Sequence, residues 1–313
     1  MTILGFDIGG TKSAVVFGNN KGEIFYKEKI ATSSPQNTLG TLFHLADKIG
    51  LSADIAGVSC GGPLDEKNGI ILSPPNLTGW DEIHITDLIT KHFKIPAHLL
   101  NDANACALAE WKFGAGKGTQ NMIFCTFGTG MGSGLILNGK LYSGTNGNAG
   151  EIGHIRMASN GPIGYGKKGS FEGFVSGGGI AQSGKIYARK KLNNGIACSF
   201  CKSMNDIDKI TAKSIAEMAD LGYEDAKEIY STCGRYLGKG LAVAIDILNP
   251  ECIVLGSIYA RCEHLLANEM IKELKKECLP QSLTAVRIVP AKLGEQIGDY
   301  AALVAAMEGE NER

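Results

Sequence analysis

Two stretches of the chain repeat one small design. Residues 3–30, ILGFDIGGTKSAVVFGNNKGEIFYKEKI, read as an apolar strand, a glycine turn, a second strand, a tight turn at Asn20-Lys21-Gly22 and a third strand. NMIFCTFGTGMGSGLILNGKLYSG, from Asn121 to Gly144, follows the same order and makes its second turn at Asn138-Gly139. Asn-Gly between apolar runs favours a type I′ hairpin, because both central residues must take positive φ. The repeat is one of a supersecondary unit rather than of residue identity. Each copy sets glycines between two antiparallel strands. Two similar halves facing one another would leave a central cleft.

Further strands are expected at Ile55–Cys60, His98–Asn101, Cys252–Leu255 and Val286–Val289. Helical periodicity covers Thr38–Ile49, Ala103–Phe113, Ala212–Ala219, Tyr223–Leu248, Cys262–Glu277 and Gln296–Met307. Alternating strands and helices argue for an α/β fold. At 313 residues the chain suits one large or two medium domains. FGAGKG, around Gly114–Gly118, reads as a flexible boundary. The expected division is a smaller domain of residues 1–117 plus 298–313 and a larger one of residues 118–297.

Composition narrows the function classes. Apolar residues make up 44% and charged residues 20%, with a net charge of −1. A sizeable core can form, and no basic block invites nucleic acid. No apolar run approaches a bilayer span. The first residues, MTILGFDIGG, are strand-like and lack a leader pattern, so a cytosolic protein is expected, with no membrane partner. Nine cysteines are spread along the chain, and only Cys198 and Cys201 have metal or redox spacing. One such pair is a weak signal, and ordinary reduced thiols are the expectation.

The two glycine turns carry chemistry. Asp7 to Lys12, DIGGTK, opens onto a strand rather than a helix, which excludes a dinucleotide fingerprint, and it lacks Walker A spacing. It still offers backbone N–H groups at Gly9 and Gly10, the Thr11 hydroxyl and the Lys12 ammonium. Asp7, at a strand end, can hold a hydrated Mg²⁺. The second turn, FGTGMGSG, supplies Gly128, Gly130, Gly132 and Gly134. Two anion-cradling turns suit a polyphosphate bridged by a metal. Taken singly, either could be a mere hairpin. Asp102 ends the apolar HLL run and precedes a helix, so it could be a base facing a cleft or a helix N-cap. Glu151 and His154, three apart, read from the pattern alone as a surface acid and a core histidine.

Five motifs in order resemble the ROK family of sugar kinases and sugar-responsive repressors. They are Asp-Ile-Gly-Gly-Thr-Lys at 7–12, Leu-Asn-Asp-Ala-Asn-Ala at 100–105, Gly-Thr-Gly-Met-Gly-Ser-Gly at 128–134, Gly-Glu-Ile-Gly-His at 150–154 and Asn-Pro-Glu-Cys-Ile-Val-Leu-Gly at 249–256. The resemblance implies an actin-like (ribonuclease H-like) ATPase fold of two domains closing on ATP and a sugar, commonly as a homodimer. It implies ATP-dependent phosphorylation of a hexose or N-acylhexosamine, glucokinase-like first. Asp102 would be the general base, accepting the hydroxyl proton as that oxygen attacks the γ-phosphoryl group. Asn76, Asn101, Glu151, His154 and Glu172 would meet the sugar. Asp7, Gly9, Gly10, Thr11, Lys12, Gly128, Thr129, Gly130, Gly132 and Gly256 would hold ATP, with Mg²⁺ at Asp7. Trp80 is expected in the core.

One segment departs from the family. GPIGYGKKGSFEG, residues 161–173, falls where members read Cys-x-Cys-Gly-x-x-Gly-Cys-x-Glu and hold a structural zinc with a histidine. Ile163, Tyr165 and Ser170 replace the three cysteines, while Gly166, Gly169 and Glu172 remain. No zinc is expected. Packing of Ile163 and Tyr165 would hold the loop, Lys167 and Lys168 would form a solvated turn, and His154 would serve the sugar alone. Two alternatives to the kinase exist. A non-catalytic sugar sensor would be expected to have lost some of Asp7, Thr11, Lys12 and Asp102. A repressor would carry a DNA-binding module before the first motif, where only six residues precede Asp7.

Overall fold

A computed structural model describes residues 1–311; residues 312 and 313, which end the smaller expected domain, lie outside the described residues. The chain divides into two units. The first comprises Met1–Gly118, Ser143–Gly147 and the chain from Leu293 onward, the second Thr119–Tyr142 and Asn148–Lys292.

The first unit is built on a mixed sheet of β1 (Thr2–Ile8), β2 (Lys12–Asn19), β3 (Ile24–Ala31), β4 (Ile55–Cys60) and β5 (Ala97–Asn101), in the order β3-β2-β1-β4-β5. β1 runs antiparallel to β2 and parallel to β4, and β4 runs parallel to β5. Every residue of β4 is buried, as both faces are covered, so it reads as a continuous apolar run rather than an alternation. On one face Phe6, Val15, Phe17 and Val58 pack with Leu39 and Leu42 of α1 (Pro35–Ile49). That helix begins three residues before its periodicity, because Ser34 caps it and Pro35 starts it. On the other face lies the C-terminal helix Ile297–Asn311. A Cβ on Gly5 would come within 2.9 Å of the Ala302 Cβ, and one on Gly57 would strike the Ala302 carbonyl and the Ala306 N–H. Small residues on both surfaces therefore let helix and sheet approach closely. α2 (Ile85–Phe93) was not evident in the sequence, since it is short and buries only Ile85 and Ile89. α3 (Asp102–Phe113) follows β5 directly.

The second unit repeats the sheet with β6 (Met122–Cys125), β7 (Ser133–Leu137), β8 (Lys140–Leu141), β9 (Cys252–Leu255) and β10 (Arg287–Pro290), in the order β8-β7-β6-β9-β10. Asn138 and Gly139 take φ of 53° and 71°, as the type I′ turn requires. Its helices include α4 (Gly177–Asn193), α5 (Ala212–Asp220), α6 (Glu224–Leu248) and α7 (Ile258–Glu277). α6 and α7 pack through Gly234 and Gly238, where an added Cβ would meet the carbonyls of Leu266 and Met270 at 2.7 and 2.5 Å. The glycine triplet Gly177–Gly179 hid α4 from the sequence reading. Ser176 starts it by accepting the Gly179 N–H at 2.9 Å.

The FGAGKG segment is not the loose linker expected. Glu110, fully buried in α3, accepts N–H bonds from Ala115 at 2.7 Å and Leu293 at 2.8 Å, which pins both backbones. Trp80 is in the core, its Nε1 donating to the Ser33 carbonyl at 3.0 Å. Cys198 and Cys201 are buried free thiols joined by backbone hydrogen bonds of 2.9 and 3.3 Å. Among the described residues no helix is long and apolar enough to cross a membrane.

Candidate active site

In the first unit the parallel strands β1, β4 and β5 end together. Ile8 pairs with Cys60, and Cys60 with Asn101, so Asp7, Asn101 and Asp102 collect at the carboxyl edge of the sheet. Such edges are where open α/β sheets place ligands. The glycine turn Gly9–Thr11 closes by a Gly9 N–H bond to the Lys12 carbonyl at 3.1 Å, and Gly10, Thr11 and Lys12 are exposed. Asn76, also exposed, lies against this turn: a Cβ on Gly10 would come within 2.6 Å of the Asn76 carbonyl oxygen and 2.8 Å of its Cβ. Thr32 was missed in the sequence. Its hydroxyl donates to the Gly9 carbonyl at 2.6 Å and its N–H to the Thr11 carbonyl at 3.0 Å, so it buttresses the turn from behind. Only the register Lys12↔Ala31 reveals it.

Asn101, not Asp102, caps α3. Its Oδ1 accepts from the N–H groups of Ala103 at 3.0 Å and Asn104 at 3.4 Å. The N-cap alternative for Asp102 thus falls away, and the cap's own N–H is held by Glu66 at 2.7 Å. Asp102 Oδ1 accepts from Ala103 N–H at 2.8 Å. Asp102 is exposed at the head of α3, while the protein beside its carboxyl group partly desolvates it. That desolvation raises its pKa above the ordinary aspartate value, against the N–H bonds that favour the anion. Asp7 is pushed up to about 7, first by burial and then by the negative charges of Asp299 and Asp102, with Lys29 and Lys27 opposing. A buried carboxylate so disfavoured as an anion would gain most from a cation, and its hard oxygens suit Mg²⁺.

In the second unit the loop Thr126–Gly132 joins β6 to β7. Thr126 closes it, its N–H donating to the Gly132 carbonyl at 3.0 Å and its Oγ1 accepting the Gly132 N–H at 2.9 Å. The first amides of α4 donate to loop carbonyls, Gly177 to Gly128 at 2.8 Å and Gly178 to Thr129 at 3.2 Å. Gly128 N–H turns inward to the Gly130 carbonyl at 3.0 Å. None of these bonds uses the N–H groups of Thr129 and Gly130. Glu172 sits under the loop: its Oε2 accepts the Met131 N–H at 3.0 Å, and a Cβ on Gly130 would come within 2.6 Å of that oxygen. The sequence reading gave Glu172 to the sugar and missed this bond. Gly256 is tight within its own unit, because a Cβ there would meet the Thr126 carbonyl at 3.1 Å and Phe124 at 3.2 Å. Ser257 follows at φ 48° and ψ −104°, a conformation that glycine adopts readily and serine does not.

Glu151 and His154 flank a single helical turn, both exposed, with Gly153 buried between them. The core-histidine reading is therefore wrong. The expected packing of the 161–173 loop is also corrected. Ile163 and Tyr165 are 50% and 72% exposed. Polar bonds hold the loop instead. Ser170, fully buried, donates from its hydroxyl to the Gly164 carbonyl at 3.3 Å and accepts the Gly173 N–H at 3.1 Å. The Gln182 amide pairs with both backbone groups of Ile163, at 3.0 and 2.8 Å. Lys168 is exposed, and Lys167, half-buried, also donates from its Nζ to the His154 carbonyl at 2.6 Å. The Tyr165 ring stands edge-on to the His154 ring at 6.3 Å. Two of the positions expected to carry cysteine thus stabilise the segment without thiols.

The ROK family model matches residues 3–307. The chain is 30% identical over 307 residues to a glucokinase of Halalkalibacterium halodurans, covering 94% of this chain and 92% of that protein. It is 27% identical over 302 residues to a xylose repressor of Bacillus spizizenii, covering 93% of this chain and 73% of the repressor. The fold matches a ROK family glucokinase from Streptomyces griseus in complex with glucose and AMPPNP, with a TM-score of 0.80 and 28% identity over 99% of this chain and all of that one. The chain belongs to the ROK family and has its actin-like ATPase α/β fold.

Proposed function

We propose that this ROK family member is an ATP-dependent sugar kinase that transfers the γ-phosphoryl group to a hydroxyl of a hexose or N-acylhexosamine, glucose first among them. The observation that carries the reading is the Asp102 carboxyl group. It lies at the carboxyl edge of the sheet, with its pKa raised by crowding, next to a helix cap that Asn101 fills in its place. A carboxylate that does not occupy the cap position and is made more basic is a proton acceptor. In this reading Asp102 takes the proton of the attacking hydroxyl as its oxygen bonds to the γ-phosphorus and the bond to the leaving ADP oxygen breaks.

The remaining roles follow the same division. Gly9, Gly10, Thr11 and Lys12 bind phosphate from the first unit; in the second, Thr129 and Gly130 do so through backbone N–H groups, while Gly128 and Gly132, whose own N–H groups are bonded within the loop, give the phosphates close approach. Gly256 admits the adenosine. Asn76, Asn101, Glu151, His154 and Glu172 bind the sugar. Asp7 holds Mg²⁺, which when bound would neutralise the charge gathering on the phosphates. The protein works in the cytoplasm as a homodimer, and the exposed Val243 and Ile247 of α6 suit such a contact. The 161–173 loop needs no zinc, and stoichiometric zinc in purified protein would overturn that part.

A coupled ADP assay over a sugar panel tests the reading, with sugar-dependent turnover expected. The second reading, a sugar sensor without catalysis, draws on the replaced cysteines. Calorimetric binding of a sugar by protein that turns over none of the panel would favour it.

A further inference from the structure

The layer beneath Asp7 has no part in the mechanism above. In-register pairing sets Lys29, Ala14, Asp7 and Ser59 in one row across β3, β2, β1 and β4. Residues in register share a face. This face is the one under the C-terminal helix, since Gly5 and Gly57, two residues earlier in β1 and β4, meet Ala302 and Ala306. The first turn of that helix reaches the end of the row, where a Cβ on Gly298 would strike the Asp7 carboxylate. The next residue, Asp299, is fully buried, and its carboxylate pairs with Lys27 and, at 4.0 Å, with Lys29.

Elsewhere this helix seats itself with alanines, and ions are not needed for the contact. Burying charge is costly unless it serves a purpose or is fully paired. The pairing here is incomplete: Asp299 Oδ1 and Ser59 Oγ are enclosed with no hydrogen-bond partner. Both atoms belong to the layer under Asp7, and Asp299 acts electrostatically on it.

We propose that Asp299, with Lys27 and Lys29, is a positioning set for Asp7 that fixes its carboxylate and its local charge and so sets how tightly the chain holds the divalent cation of the nucleotide. The inference rests on the reading of Asp7 as the cation ligand. Its consequences have opposite signs. Neutralising Asp299 leaves two ammonium groups uncompensated near Asp7, which repels a cation. Removing the Lys29 charge does the reverse. A purely structural ion pair would lose stability in both variants and shift cation affinity in neither.

The test titrates Mn²⁺ into protein saturated with a non-hydrolysable ATP analogue at pH 8, following free Mn²⁺ by electron paramagnetic resonance. Asp299→Asn should weaken Mn²⁺ binding about fivefold or more, and Lys29→Met should tighten it about twofold, as expected for one unit charge acting through a partly solvated medium. Lys29 lies at the sheet edge with its side chain 39% exposed, so its variant carries the test even where Asp299→Asn does not fold. Wild-type binding with both charge variants unchanged, or shifted in the same direction, overturns the positioning set alone. A wild type that binds no Mn²⁺ beyond the free nucleotide overturns the Asp7 reading, and this inference with it.

Discussion

The two glycine turns sit at the same place in two sheets of the same order, yet they are finished differently. The first is short, three residues from Gly9 to Thr11, and acids stand behind it: Asp7 in its own strand, Asp102 at the head of α3 and Asp299 below. The second is seven residues from Thr126 to Gly132, and neutral backbone finishes it. There α4 amides take up the carbonyls, Thr126 closes the base, and one carboxylate, Glu172, accepts from Met131. One supersecondary unit thus ends at an acidic edge in one copy and at a turn finished by backbone bonds in the other, which the proposed function reads as a proton- and cation-handling edge and a backbone-donor cradle. The difference lies in what surrounds the turn, because glycine itself contributes only close approach and N–H groups.

The largest test of that division is Asp102→Asn. The first turn should lose its chemistry, with kcat falling about 10²–10⁴-fold and sugar KM moving little, as for removal of a general base. Steady-state kinetics on folded variant checks it, and full activity would refute the base. Next come matched alanine substitutions in the two turns. Gly10→Ala meets the Asn76 backbone, which cannot swing aside, whereas Gly130→Ala meets the far end of the Glu172 side chain, which can. The ATP KM should rise about tenfold or more in the first and several-fold less in the second, on the scale of one misplaced phosphate contact. Equal effects would erase the contrast.

Asp7→Asn sharpens the contrast through pH. The folded-state pKa of Asp7, about 7, exceeds its ordinary 3.8, so the native state holds the proton more tightly than the unfolded chain. Ionisation therefore costs stability as pH rises from about 4 through 7. Asn, which cannot ionise, should melt above the wild type at pH 8 by roughly 1 kcal/mol or more in stability. That gain should fade toward pH 4. Thermal melts of both proteins across this range decide the matter. The smallest effect is expected at Ser257→Gly, where relief of the strained backbone should stabilise the protein by about 1 kcal/mol. A denaturant titration reads it, and a loss of stability would mean that the Arg261 bond to Ser257 Oγ, 3.2 Å long, matters more than the strain.

Much of this was legible in the sequence because it depends on pattern. β4 and β9 were delimited by unbroken apolar runs, and Asn138-Gly139 named its own turn type. Asp7, Asn101 and Asp102 were placed by the ends of such runs. What stayed hidden depends on register and on neighbours far along the chain. Thr32 supports a turn from a strand that only pairing brings beside it. Asp299 and its two lysines are separated by some 270 residues. The polar fastening of the 161–173 loop by Ser170 and Gln182 defeated an argument from the packing of Ile163 and Tyr165, because those two side chains face solvent. α4 was missed because three glycines at a helix start argue against helix on propensity, while a serine cap and carbonyl partners in the turn favour it.

The central claim is that the acid edge and the backbone cradle serve one phosphoryl transfer. Its most direct test is a discontinuous assay of wild-type and Asp102→Asn protein with ATP, Mg²⁺ and a panel of hexoses and N-acylhexosamines, counting ADP and sugar phosphate together. The account predicts ADP and sugar phosphate in equal amounts for at least one sugar, with both lost in the variant. Folded wild type that binds a sugar yet forms neither product would contradict it.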